Sequence, residues 1–523
     1  MKELIYHRQF LPAIRKFGKR RAVVDGTYEA TYEAHAERVF KLCHALKHQL
    51  GIGVGDRFAV LAVTSHEYLE LYHAAFLGAG IINPLNLRLA GKELDYIVGD
   101  SGAEVVFVDK HFAEAFAAAM AGADHAGTIR RVVFIGDGEG PHDVRYDDLI
   151  AASDPQVPIE PEENDPVVLM YTGGTTGLPK GVLVSQRAEM LNCYHCAIVL
   201  RVFDEDDVSL LQTPIFHAAS MVTLLSGAFS GGSIVLMPMF DPGAVIGLIE
   251  KYKVTTTTMV PTMIGMMLNH PEFSPARLES LRTLVYGASP MPAALLDKLL
   301  ALLPDLQIGQ GYGMTESSSV LTYLPSKQHF AGNPRLRSVG RAVTGVELSI
   351  QDDEGNILPT GENGEVCAKA GNYMTEYWNQ PEATAEAFRD GWYHTGDAGY
   401  LDEDGYLFLV DRIKDMIVTG GENVYCVEVE NAISTHPAVS QVAVIGIPSE
   451  QWGEAVHAIV IVEQGAEVTA GDIINHARQS IAGYKVPKSV AFRSEPLPLS
   501  GALKVLKREL REPYWQGHEK RIG

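Results

Sequence analysis

Over its first third the chain alternates amphipathic helical runs with short, wholly apolar ones, and this alternation restricts the fold more than any other feature. AHAERVFKLCHALKHQLG repeats apolar residues at helical spacing and closes on Gly51; RFAVLAV then reads as a buried strand, SHEYLELYHAAFLGAG as a helix and AEVVFVD as a strand. A helix between consecutive strands makes them parallel, and strands without a polar face need helices on both sides. LMYTGG, GGSIVLM, TTTTMV and RTLVYGAS continue the strand-rich pattern. The expected fold class is therefore α/β, with a large N-terminal domain of helix-covered mixed and parallel β-sheets. At 523 residues the chain exceeds one ordinary core. The texture changes near Asp411, where GYLFLVDRIKDMIVTGGENVYCVEVE packs strands, a charged turn and a Gly-Gly turn before a helix. This predicts an N-terminal domain over 1–410 and a small C-terminal α+β domain over 411–523. No fixed-period repeat or low-complexity tract interrupts the pattern.

Charge narrows the partners. A net charge of -22, from 43 basic and 65 acidic residues, argues against nucleic acid and anionic membrane surfaces. The N-terminus MKELIYHRQF lacks the apolar core of a secretory signal, and the five cysteines are scattered, which predicts a cytoplasmic protein. Val208–Phe240 carries no Asp, Glu, Lys or Arg, yet Pro214, His217, Gly227, Gly231, Gly232 and Pro238 break it up. It reads as core helix and strand, not as an integral membrane span, and as a wall for an acyl or aryl pocket. Cys193 and Cys196 flank His195, but no second pair stands at zinc-site spacing, so a structural role outweighs metal ligation.

Two glycine-rich segments carry chemistry. In YTGGTTGLPKG an apolar strand opens into a loop where Gly173, Gly174 and Gly177 let amides approach an anion, Thr172, Thr175 and Thr176 add hydroxyls, and Lys180 adds charge. A Walker loop is excluded, because Pro179 precedes Lys180 and Gly181 follows it. GQGYGMTES joins a flexible turn to the aromatic face of Tyr312, suited to a purine, and to the hard carboxylate of Glu316, suited to Mg²⁺. Each segment alone is equally readable as a surface turn, the second as a capped turn with a solvated Glu.

YTGGTTGLPKG resembles the phosphate-loop signature of the adenylate-forming superfamily, which includes acyl-CoA synthetases, firefly-type luciferases and peptide-synthetase adenylation domains. YGASP, GQGYGMTES, YWNQPEATAEAF, YHTGDAGYLDEDGY, DRIKD, TGGEN and PLPLSGALKVLKREL extend the resemblance in order from Val167 to Arg508. It implies that Gly287, Ala288 and Ser289 contact adenine and that Tyr312, between Gly311 and Gly313, stacks on it. It further implies that Thr315 touches the α-phosphate, Glu316 coordinates Mg²⁺, Asp397 accepts the ribose hydroxyls and Arg412 reaches the ribose. The family hinge falls on Lys414, about which a mobile C-terminal domain would turn. Gly420, Gly421 and Glu422 of TGGEN would then face the acyl-AMP and open a pantetheine tunnel. Lys504 would stand between the attacking carboxylate and the α-phosphate, with Lys507 and Arg508 as solvated neighbours. Two departures stand out: the family's serine after Tyr-Thr is Gly173, and the glycine before its lysine is Leu503.

The implied activity is an AMP-forming carboxylate–CoA ligase using ATP, Mg²⁺ and coenzyme A. His217 matches a position at the mouth of the family's acyl pocket, with a satisfied core histidine as the alternative. Met221, Val222, Tyr286, Gly309 and Gly311, the other pocket candidates, commit no charge, which predicts a neutral tail: a medium- or long-chain fatty acid first, an aryl or sterol-side-chain acid second. A stand-alone adenylation enzyme loading a carrier protein, a luciferase-like oxygenase and a non-catalytic acyl-nucleotide sensor are the rivals. Family habit implies a homodimer.

Overall fold

The computed structural model describes residues 2–516 except 139, 173–178, 201–203, 290, 413–414, 420–421, 450, 464 and 500–504. The chain divides into two compact units: Met1–Val346 with Ala370–Glu386, and Glu347–Lys369 with Ala387–Gly523.

In the first unit the predicted alternation produces two large sheets. One has eight strands. From the Val144–Arg145 edge it runs through Arg131–Ile135, Val105–Asp109, Arg57–Leu61, Ile81–Pro84 and Pro166–Thr172, all parallel; Lys180–Ser185 and Glu376–Tyr377 then add antiparallel. The other has nine strands, with a parallel centre of Arg21–Asp25, Ser233–Leu236, Val208–Leu211, Thr256–Met259, Thr283–Gly287 and Gln307–Tyr312 between antiparallel edges. Val105–Asp109 and Ser233–Leu236 are buried at every residue, as strands covered on both faces must be.

Helix Tyr32–His48 starts where Thr31 accepts the Ala34 amide, and buries Tyr32, His35, Ala36, Val39, Leu42, Cys43 and Leu46 along one stripe. It stops before the expected Gly51, because the Gln49 and Leu50 amides both return to the Ala45 carbonyl. The uncharged stretch from Val208 folds as two strands around the ten-residue helix Met221–Ser230. No helix among the described residues is long and apolar enough to cross a membrane.

The second unit holds two five-stranded sheets. The first is antiparallel and joins Glu347–Gln351, Gly364–Lys369, Trp392–Leu401, Phe388–Arg389 and Leu407–Arg412, so Asp411 lies inside its last strand. The second is mixed, from Ile417–Thr419 to Ser489–Phe492. Helices Cys426–Ser434 and Ala470–Arg478 share its core with Ile417, Val424, Val444, Val456 and Val460. Helix Lys507–Trp515 anchors through Leu510 beside Ile445 and Ile459.

Candidate active site

The arms of the phosphate-type loop are the antiparallel strands Pro166–Thr172 and Lys180–Ser185, in register Tyr171 to Gly181 and Thr172 to Lys180. The Thr172 hydroxyl donates to the Lys180 carbonyl at 3.4 Å, which closes the neck of the loop. Gly173, Gly174, Thr175, Thr176 and Gly177 lie outside the described residues. Below the neck, the Tyr171 hydroxyl donates to Asp100 at 2.5 Å; burial, with that carboxylate, holds the phenol well above its usual pKa. The Lys180 ammonium stands 4.9 Å from the centre of the Tyr377 ring.

The second cluster grows from adjacent parallel strands, Thr283–Gly287 and Gln307–Tyr312, whose register pairs Gly287 with Gly311. Their carboxyl ends deliver the Gly287, Ala288, Ser289 loop beside Tyr312, where open α/β sheets place ligand loops. Ala288 sits at φ +65°, a left-handed conformation that costs a residue with a Cβ. Beyond Tyr312 the chain folds into the short turn Thr315–Ser317 and doubles back, so the Leu321 amide donates to the Tyr312 carbonyl at 2.8 Å. A Cβ on Gly313 would overlap the Ser319 carbonyl oxygen, so this close approach admits only glycine. Ser318 and Ser319, at φ +53° and +125°, hold strain of about 1–3 kcal/mol each.

What fixes this strained turn comes from far along the chain. The Asn372 amide donates to the Ser317 and Val320 carbonyls at 2.8 and 2.9 Å, and Asn192 Oδ1 accepts the Val320 amide at 3.3 Å. Glu316 is held twice: its carbonyl accepts the Met374 amide at 2.7 Å, and its Oε1 accepts the Tyr377 hydroxyl at 2.9 Å. Under the turn, Asn192 also contacts Glu189, whose carboxyl burial pushes up to about 8. Neither Asn372 nor Tyr377 drew a role from sequence; each acts across more than fifty residues, and no local pattern encodes that.

At the apolar end, Tyr286 is buried with its hydroxyl 3.1 Å from Gln310 Oε1 and 3.2 Å from His329 Nε2. Burial pulls the His329 pKa down to about 4, so that ring is neutral. His217 precedes the turn Ala218–Ser220, half-buried against Phe216 at 4.5 Å between ring centres, and Met221 is fully buried.

In the second unit, ladder register pairs Asp397 with Arg412. The Asp397 amide donates to Thr395 Oγ1 at 3.1 Å, that hydroxyl donates to the Val366 carbonyl at 2.7 Å, and Glu365 Oε1 accepts the Gly396 amide at 3.1 Å. Asp397 is 5% exposed. Glu422 opens the strand Glu422–Val424 on an exposed face. The side chain of Arg412, and Lys414, Gly420, Gly421 and Lys504, lie outside the described residues. One expectation is overturned: Lys507 is not a solvated lysine but is sheltered in an ion pair with Glu430 at 2.8 Å, while Arg508 is exposed.

Cys193, His195 and Cys196 are buried on the helix Gln186–Leu200. Among the described residues the sets spaced for a metal ion are Glu365, Cys367, His394 and Asp25, His66, Glu67. In the first, the Arg389 guanidinium lies 2.8 Å from His394 Nδ1, a cation where a metal would have to bind. Glu316, with one oxygen held by a neutral hydroxyl, has the hard-donor chemistry Mg²⁺ prefers.

Residues 10–378 match the family described as AMP-binding enzyme, and residues 428–504 match the AMP-binding enzyme C-terminal domain. A feruloyl-CoA synthase from Amycolatopsis sp is 38% identical over 94% of this chain and 96% of its own length. The long-chain-fatty-acid–CoA ligase FadD13 of Mycobacterium tuberculosis is 38% identical over 89% of each chain. The o-succinylbenzoate CoA synthetase MenE of Bacillus subtilis, solved with the acyl-adenylate intermediate OSB-AMP, superposes with a TM-score of 0.84 at 27% identity, covering 98% of both chains. The chain therefore belongs to the AMP-binding enzyme family, as one of its AMP-forming acid–CoA ligases.

Proposed function

We propose that this ligase activates an apolar-tailed carboxylic acid through an acyl-adenylate. One acid oxygen attacks the α-phosphorus of ATP, the α–β bridging bond breaks and pyrophosphate leaves. The thiol of coenzyme A then attacks the acyl carbonyl, loses its proton, and AMP departs. AMP is a far better leaving group than oxide, which is why activation precedes thioester formation. The observation that carries this reading is that Tyr377 joins Lys180, at the neck of the phosphate loop, to Glu316: its ring lies against the ammonium and its hydroxyl donates to the carboxylate.

On this reading Thr172 and Lys180 hold the leaving phosphates, together with the loop Gly173, Gly174, Thr175, Thr176 and Gly177. The Gly287–Ser289 loop and Tyr312 hold adenine, Asp397 with Arg412 holds ribose, and Thr315 contacts the α-phosphate. Glu316 would hold Mg²⁺, which when bound neutralises phosphate charge. Lys504 counters the charge that accumulates as the acid attacks, an effect worth about 3 kcal/mol. A C-terminal domain from Asp411 turns about Lys414, exchanging Lys504 for the Gly420, Gly421, Glu422 face and shielding the anhydride from water. All five cysteines are free and buried, which supports a cytoplasmic setting.

A medium- or long-chain fatty acid is the first substrate reading, with His217 at the pocket mouth. An aryl acid is the second, favoured by the feruloyl-CoA synthase, which matches more of this chain than the fatty-acid ligase does. Release of AMP and pyrophosphate from Mg-ATP across fatty, aryl and amino acids, with and without coenzyme A, tests both. Turnover that needs coenzyme A and falls at least about 100-fold in Lys504→Ala is expected. Equal turnover in that variant, or activation of amino acids alone, would refute the reading.

A further inference from the structure

The chain leaves the first unit at Val346 and returns to it only for Ala370–Glu386. That short return is fastened to both halves of the site. On one side Asn372, Met374 and Tyr377 bond to the turn around Glu316. On the other, Tyr377 pairs in register with Val182, the Thr375 amide donates to the Leu183 carbonyl and the Trp378 amide to the Gly181 carbonyl, each at 2.7 Å. The Trp378 indole also donates to the Asp100 carbonyl at 2.8 Å, beside the carboxylate that holds Tyr171.

A strand that merely closed a sheet edge would need only its backbone bonds. Here one side chain serves both partners: the Tyr377 hydroxyl restrains one oxygen of Glu316, and its ring lies against the Lys180 ammonium. Phenylalanine would keep the edge and the cation–π contact but lose the bond to Glu316, so the two roles can be separated chemically.

We propose that Asn372–Trp378 is a positioning strap, in which Tyr377 aims the Glu316 carboxylate and steadies Lys180, so that divalent-cation and phosphate contacts are set as one unit. This rests on the adenylating reading of the site, and it makes Tyr377 a positioning residue.

The test is equilibrium binding of Mn²⁺, followed by electron paramagnetic resonance with the unreactive α,β-methylene-ATP, in wild type, Tyr377→Phe and Tyr377→Leu. Tyr377→Phe should weaken Mn²⁺ about tenfold, the worth of one hydrogen bond to a carboxylate, and leave nucleotide affinity at saturating Mn²⁺ within about twofold. Tyr377→Leu should weaken Mn²⁺ and nucleotide alike. In a Glu316→Gln background, Tyr377→Phe should change nothing further, and unchanged melting temperatures keep folding out of the comparison. Wild-type Mn²⁺ affinity in Tyr377→Phe, or an undiminished effect in the Glu316→Gln background, overturns the strap. If the wild type binds Mn²⁺ and nucleotide but activates no acid, the adenylating reading fails while the strap stands.

Discussion

Glu316 sits in a short turn and Asp397 in a strand, and the two are held by different means. The Glu316 turn in the first unit is strained at Ser318 and Ser319, and side chains from residues 192, 372 and 377 hold it. Asp397 in the second unit lies in the strand Trp392–Leu401 beside a bulge; its register to Arg412, with bonds to Thr395 and to Glu365 on the neighbouring strand, suffices. A position that regular backbone cannot supply has to be imposed by distant groups, and it inherits their vulnerability. A position set by register tolerates more.

The largest effect is expected at Gly313. Gly313→Ala drives a methyl into the Ser319 carbonyl and must shift the turn carrying Glu316. Acid-dependent pyrophosphate release should fall about 100-fold or more, since displacements near 1 Å cost that much.

A smaller effect belongs to Glu189, buried beneath the strained turn. Its folded pKa of about 8 exceeds the ordinary 4.5, so the fold prefers the protonated acid. That stabilisation is complete below about pH 4.5 and is lost as pH rises to about 8, because the unfolded chain ionises first. Glu189→Gln should therefore gain on wild type by up to about 1.4 kcal/mol per pH unit across this window, measured as the difference in unfolding between pH 6 and pH 8. Parallel pH profiles would show that burial does not raise the Glu189 carboxyl.

The smallest effect is expected in the second unit. Gly396→Ala meets no heavy atom within 4 Å and violates only its φ of +70°. It should lose about 1 kcal/mol of stability, read by thermal unfolding, with a modest rise in KM for ATP. Damage equal to that of Gly313→Ala would erase the distinction between the turn and the strand.

The sequence made the parallel sheets readable, because strands such as VVFVD and SIVL have no polar face to misplace. It also made the loop arms readable, since Thr172 and Lys180 flank a glycine run at the end of such a strand. The strap was not readable: YWNQPEATAEAF looks like strand, turn and helix, and its meaning lies in contacts 61 residues back at Glu316. Lys507 was misjudged for a related reason. A lysine in a basic run appears solvated until the fold brings Glu430 to it.

The central claim is best tested by omitting coenzyme A. Wild-type enzyme mixed with Mg-ATP and either ferulate or a long-chain fatty acid, then acid-quenched and analysed by mass spectrometry, should yield acyl-AMP and pyrophosphate at about one equivalent per enzyme. Later addition of coenzyme A should convert the acyl-AMP to thioester and AMP. Thioester formed with ADP and phosphate, and no acyl-AMP at any time, would contradict the account.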